Sequence, residues 1–209
     1  MLAITLSLGV WQIERLHWKE GLLAEIDRAE AAPPVALPPA PSPFEKVEVE
    51  GQFRADLAAH YGSEVRSTAE GPQLGSQLLM PLVRPGQPPI LVDRGWLPDD
   101  AKVPASTAPV TVVGYVRPPE APGRLSPSPD LSARRFWSLD PAQIGAALGL
   151  PRIAPFTLVA LGPADASPMP AQALPRPPND HLGYAITWFG LAACLIGVFT
   201  TYVKKAVRP

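Results

Sequence analysis

The sequence predicts an α+β membrane protein in which two transmembrane helices, the first cut short, flank an antiparallel, β-rich, barrel-like extramembrane domain with one short helix. Two observations carry this expectation. Leu182 to Val203 runs for 22 residues without a charge, and about 20 suffice to cross a bilayer. Twenty-nine prolines dominate the middle of the chain, where each removes an amide donor and clashes with the preceding turn, so no long helix fits between residues 30 and 180. The length of 209 residues suits one compact domain plus one or two anchors.

Taken in order, Met1 to Trp11 is apolar, but at about 1.5 Å per residue it covers only about 16 Å of a hydrocarbon core about 30 Å thick. Residues 1–13 therefore read as the end of a first transmembrane helix whose native start lies about ten residues upstream. The positive n-region and small-residue cleavage site of a signal peptide are not seen. Trp11-Gln-Ile-Glu-Arg-Leu-His-Trp-Lys19 reads as the interfacial exit, aromatic at headgroup level and charged beyond it. Residues 14–32 continue as a helical stalk, in which Leu22, Leu23 and Ile26 repeat at helix spacing.

Residues 33–43, rich in proline, read as an extended linker rather than a regular element. Residues 44–178 form the β-rich domain. Lys46 to Gly51 alternates charged with branched apolar residues, as a half-buried strand does. Gln77 to Val83 and Pro89 to Leu97 flank a Pro-Gly turn signal and predict a hairpin. Val110 to Val116 and Ala154 to Leu161 supply further strands. Pro141 to Leu150 is a short helix with Asp140 as N-cap and proline at its first position.

Residues 179–203 form the second transmembrane helix and 204–209 its cytoplasmic tail. Lys204, Lys205 and Arg208 follow the span, which places the C-terminus in the cytoplasm and the domain on the far side, the periplasm or its organellar equivalent, in a multi-pass protein of the inner (plasma) membrane. Gly190 to Cys194 and Ala193 to Gly197 are small-xxx-small spacings that let a neighbouring helix approach, unless they are ordinary membrane-helix glycine content.

A net charge of −1 and a pI near 6.3 give no basic excess for nucleic-acid phosphates, so nucleic acid is not expected as a partner. The one cysteine, Cys194, rules out an internal disulfide. No nucleophile elbow, phosphate loop or His pair at metal spacing is visible, and nothing argues for an enzyme. His17, His60 and His181 are far apart, with His60 in a polar stretch that reads as a solvated loop. The carboxylates read as a wet sheet face or as loop partners of arginine.

Three motifs remain: Leu8-Gly-Val-Trp-Gln-Ile-Glu-Arg15 followed by Trp18-Lys19, Val92-Asp-Arg-Gly-Trp-Leu-Pro98, and Pro178-Asn-Asp-His-Leu-Gly-Tyr-Ala-Ile-Thr-Trp-Phe189. In this order, with Gly51-Gln-Phe53 and Trp137-Ser-Leu-Asp140 between them, they resemble the Surf1/Shy1 family, proteins that assist assembly of haem-copper cytochrome oxidase. Asp93 and Asp180 stand where that family often has asparagine.

The resemblance implies an assembly factor that binds haem a and assists its insertion into cytochrome c oxidase subunit I, with haem a synthase as a further possible partner. It assigns His181 as axial ligand to the haem iron, and imidazole suits that role. Tyr184 and Trp188 fall on the same helix face and would flank a flat ligand. Trp11 and Arg15, four apart, would face the site from the first helix, Arg15 towards a propionate. Read from the residues alone, His181 and Tyr184 mark the water interface, as aromatic belts do, and Trp11 and Arg15 serve as interfacial anchors. Arg94 and Trp96, placed at a strand end, read either as a partner for a carboxylate or propionate and a cap on the sheet, or as a structural contact between the sheet and the membrane. The alternative functions are a cofactor-free scaffold that holds the nascent oxidase subunit, and a membrane-anchored periplasmic hydrolase.

Overall fold

A computed structural model of the chain describes residues 1–105, 108–124 and 126–207. The tail residue Arg208 lies outside them. The chain divides into two compact units, Met1–Ala31 with Pro175–Pro209, and Ala32–Leu174.

The first unit is a pair of helices, α1 (Leu2–Ala31) and α3 (His181–Val207). At about 1.5 Å per residue, the 27 residues of α3 extend about 40 Å. Among the described residues α3 is the one helix long and apolar enough to cross a membrane. The apolar stretch of α1 ends at Ile13, where Glu14, Arg15, Lys19 and Glu20 begin the charged half. Stalk and apolar segment form one continuous helix. The helices run antiparallel: Gly9 lies against Phe189, Gln12 against His181, and Lys19 Nζ donates to Pro178 O. Arg176, just before α3, pairs with Asp27 and Glu30 at the end of α1.

The buried residues of α1 are Thr5, Gly9 and Gln12, those of α3 Ala185 and Ala192. Small residues on one stripe let the backbones approach. A Cβ on Gly9 would stand 2.7 Å from the Phe189 ring. The stripe expected from Gly190, Ala193 and Gly197 is not the packed one, since nothing lies within 4 Å of a Cβ built on Gly190 or Gly197 and Ala193 is exposed. His181, which meets Gln12 and Trp11, fixes a different face of α3 towards α1.

The second unit is β-rich: β1 (Val35–Ala36), β2 (Lys46–Phe53), β3 (Ala59–Thr68), β4 (Gly71–Arg84), β5 (Gln87–Pro98), β6 (Val110–Arg117), β7 (Arg135–Phe136), α2 (Pro141–Ala147) and β8 (Thr157–Ala160). The sheet order is β1-β2-β6-β8-β5-β4-β3-β7, and β2 also pairs with β4 through Gln52 with Val83 and Phe53 with Leu82. The β4–β5 hairpin turns at Pro85-Gly86, with Arg84 opposite Gln87 and Gly86 at φ +70°.

Alternate residues of β5 enter different cores. Ile90 and Val92 join Val47, Leu82, Val112 and Leu158, whereas Leu91 joins Leu79, Phe136, Leu139 and Ile144 of α2. Both faces of β5 are therefore dry, which is why its sequence is a continuous apolar run rather than an alternation. In β2, by contrast, Val47 and Val49 are buried between exposed Glu48 and Glu50. The α2 helix starts as its sequence directs: Asp140 Oδ1 accepts from Ala142 N at 2.9 Å, and Pro141 follows.

Several expectations need correction. The sheet is mixed, because β8 pairs antiparallel with β6 but parallel with β5, and β1–β2 and β3–β7 are also parallel. A chain that leaves β5 and returns beside it only after β6 and α2 has the long connection a parallel pair requires. The last strand begins at Thr157 rather than Ala154. The proline-rich linker contributes β1, whose Val35 and Ala36 lie between prolines and pair with Val47 and Glu48 at the sheet edge, where the lost donors cost little. His60 lies on β3, a strand whose polar composition concealed it, and is half-buried.

Gly95 has φ +111°, and a Cβ there would meet Met169 O at 2.0 Å, while Gly86, also at positive φ, has open space around it. Alanine should therefore cost about 1 kcal/mol at Gly86 and at least about 3 kcal/mol at Gly95. Thermal unfolding of the two variants in detergent checks this; equal losses would refute the role given to Met169.

Candidate functional site

His181 is the first residue of α3. Its ring is held from α1 by two consecutive residues. Nδ1–H donates to Gln12 Oε1 at 2.6 Å, and the Trp11 indole meets the imidazole edge-on, with centroids 6.4 Å apart and planes at 84°. Gln12 is 8% exposed, so its amide sits out of water and needs this partner. Asn179 Oδ1, two residues before His181, is buried with no hydrogen-bond partner among the described residues.

The other sequence-predicted residues are less closely gathered. Arg15 lies with its guanidinium 3.9 Å from the centre of the Trp18 ring, on its own helix. Tyr184 is 58% exposed, and Trp188 is half-buried. The structure thus brings Trp11 to His181 and adds Gln12. The signal for Gln12 was the motif itself, an amide in an otherwise apolar helical stretch immediately after Trp11.

In the β-rich unit the motif Asp93-Arg94-Gly95-Trp96 is an internal part of β5. Trp96 is 1% exposed; its Nε1–H donates to Glu64 O, and its backbone exchanges hydrogen bonds with Met169. Arg94 lies over the Phe53 ring at 4.6 Å and against Met80 Sδ. These are packing contacts within the unit. Asp93 departs from the reading of the carboxylates as a wet face, which exposed Glu48 and Glu50 of β2 follow: it is 4% exposed, and its Oδ1 accepts from Gly95 N at 2.9 Å. It lines a cavity of about 200 Å³ with Tyr61, Arg66, Gln77, Tyr115 and Arg117. Burial pushes its carboxyl up from 3.8 to about 6, opposed by the Gly95 amide and the two arginines.

The sequence profile of the SURF1 family matches residues 1–193, a stretch that contains all three motifs. The chain belongs to the SURF1 family. Similar proteins include a SURF1-like protein of Rickettsia felis, 30% identical over 216 residues that take in 98% of this chain and 94% of that protein. A SURF1-like protein of Drosophila melanogaster is 28% identical over 98% of this chain and 76% of its own length. Surfeit locus protein 1 of Arabidopsis thaliana is 27% identical over 99% of this chain and 76% of its own length.

One further cluster in this SURF1 family member involves His60. Its Nδ1–H donates to Ser76 Oγ at 2.9 Å, the Ser76 hydroxyl donates to Asp99 Oδ1 at 2.9 Å, and Arg135 pairs with Asp99 Oδ2 at 2.9 Å. Hydrogen bonds from Arg135 and Ser76 hold the Asp99 carboxyl below its usual range against the effect of burial. An ionised Asp99 can only accept, so the serine proton is committed to it and the imidazole is a donor. This is the reverse of a nucleophile activated by a base. Desolvation, then Arg135, lowers the His60 pKa. Ser76 is 1% exposed, and the chain of bonds ties β3, β4 and the end of β5 together.

Asp93→Asn keeps an acceptor for the Gly95 amide and removes the titration. The folded unit holds the Asp93 proton to about pH 6, whereas the unfolded chain loses it near 3.8. Below about pH 3 both states are protonated; stability then falls as pH rises from about 3 to about 6 and stays down above it. The variant should match the wild type at pH 3 and exceed it by about 3 kcal/mol at pH 7. Thermal unfolding of both proteins across this range measures the difference, and parallel curves would refute the buried proton.

Proposed function

We propose that this protein is a membrane-anchored assembly factor for haem-copper cytochrome oxidase, with haem a as cargo and oxidase subunit I as recipient. The observation that carries the reading is the state of His181. One ring nitrogen is engaged by Gln12, and Nε2 has no partner among the described residues. An imidazole with one N–H held and the other nitrogen free is the form that ligates haem iron. The imidazole therefore fits the group, and His181 would hold the haem iron through Nε2. The buried Asn179 Oδ1 leaves an acceptor open beside it in the chain.

The remaining residues fall into supporting roles. Trp11, already edge-on to the imidazole, gives an apolar wall; Tyr184 and Trp188, three and seven residues beyond His181 on α3, give others. Arg15, one turn beyond Trp11 and exposed, supplies a cation for a propionate. The apolar half of α1 enters the membrane beside α3, making the protein multi-pass. The β-rich unit lies on the periplasmic side, with Lys204 and Lys205 in the cytoplasm. The five strands β2, β6, β8, β5 and β4, joined in a ring of pairings, act as a small barrel. The chain performs no covalent chemistry in this reading; it binds the cargo and presents it.

Protein purified from cells that also express a haem a synthase should show a Soret band, and His181→Ala should lower haem content at least about tenfold. Unchanged haem content in that variant would sink the ligand assignment. Copurification of subunit I with a haem-free protein, undiminished where haem a is never made, would favour a cofactor-free scaffold instead.

A further inference from the structure

We propose that Gln12 is a positioning residue for the iron ligand: by accepting the Nδ1–H of His181 it fixes that tautomer, so that Nε2 is presented as the ligating nitrogen. This rests on the assignment of His181 as the haem ligand and specifies what makes it competent.

The argument starts from an imbalance on α1. Of its three buried residues, Thr5 satisfies its own hydroxyl by donating to Leu2 O within the helix, at 2.9 Å, and Gly9 has no polar side chain. Gln12 alone carries a buried side-chain acceptor whose partner lies on the other helix, and that partner is His181 at 2.6 Å. A leucine would fill the same volume without desolvating an amide, so packing does not call for glutamine here. The amide oxygen has no proton and can only accept, which leaves Nδ1 as the donor and Nε2 with its lone pair.

A histidine in water exchanges between tautomers, and the one that carries its proton on Nε2 cannot use that nitrogen as a ligand. A hydrogen bond to the opposite nitrogen removes the exchange and raises the basicity of the ligating one. The Trp11 ring, edge-on at 6.4 Å, limits rotation of the imidazole, so tautomer and orientation are both set from one turn of α1. This also accounts for the adjacency of Trp11 and Gln12: one limits the ring and the other chooses its proton.

The test uses the full chain in detergent, with Gln12→Leu, Gln12→Glu and His181→Ala. In haem-free protein labelled with 15N-histidine, His181 should carry its proton on Nδ1; in Gln12→Leu the signal should move to an average of both tautomers. After loading with haem a, Gln12→Leu should lose 10- to 100-fold in haem affinity. Gln12→Glu should retain haem with a lowered midpoint potential, because a carboxylate on Nδ1–H makes the imidazole a stronger donor. Gln12→Leu with unchanged tautomer, affinity and potential would overturn the proposal while His181→Ala still loses haem and the parent reading stands. Haem retained in His181→Ala would overturn both, and that arm distinguishes the two failures.

Discussion

A polar side chain withdrawn from water must find a partner, and in the helical unit that requirement falls on Gln12. Its amide lies on the stripe where α1 meets α3, beside residues chosen for smallness, and among the described residues its interhelical partner is His181. The bond sets the register of the pair. With Gln12 opposite His181, Gly9 comes to Phe189 and Lys19 to Pro178, and the glycines 183, 190 and 197 turn away from α1. A purely apolar pair of helices would have no comparable reason to prefer one rotation over another, since packing by small residues alone is permissive.

The β-rich unit answers the same requirement differently. Asp93 is buried beside two arginines without forming an ion pair within 4 Å, and it meets the cost by taking a backbone amide and by holding its proton to higher pH. Its position follows from the local backbone: Gly95 at φ +111° lets the strand pass against Met169, where any Cβ would collide with the carbonyl. Trp96 is thereby inserted into the interior, its indole N–H bonded to Glu64 O across the sheet. The motif that most clearly marks the family in this unit is therefore a packing device. The exposed surface pairs, such as Arg54 with Asp56, add little by comparison.

The cluster of His60, Ser76 and Asp99 shows why residue types alone do not define chemistry. Three side chains associated with hydrolysis meet within hydrogen-bond distance, but the direction of the protons is set by the most acidic member. Asp99, charged and paired with Arg135, claims the serine proton, and the imidazole is left to donate. The same atoms with the carboxylate on the histidine would be a different device.

Much of the fold was legible in the chain because its signals are local. The uncharged run of α3, the Asp140-Pro141 start of α2, the Pro85-Gly86 turn and the alternation in β2 each follow from covalent and steric rules that act over a few residues. The three motifs carried the family and pointed to His181 and Trp11. Tertiary structure decided what depends on residues distant in sequence. It made β8 parallel to β5 and placed β3 within the sheet despite a polar sequence that hid it. It buried Asp93 and revealed Gln12, whose amide has no meaning until a residue 169 positions away supplies the other half of the bond. Local sequence fixes which groups a segment offers, and only the fold determines which of them lose their water and must be answered by one another.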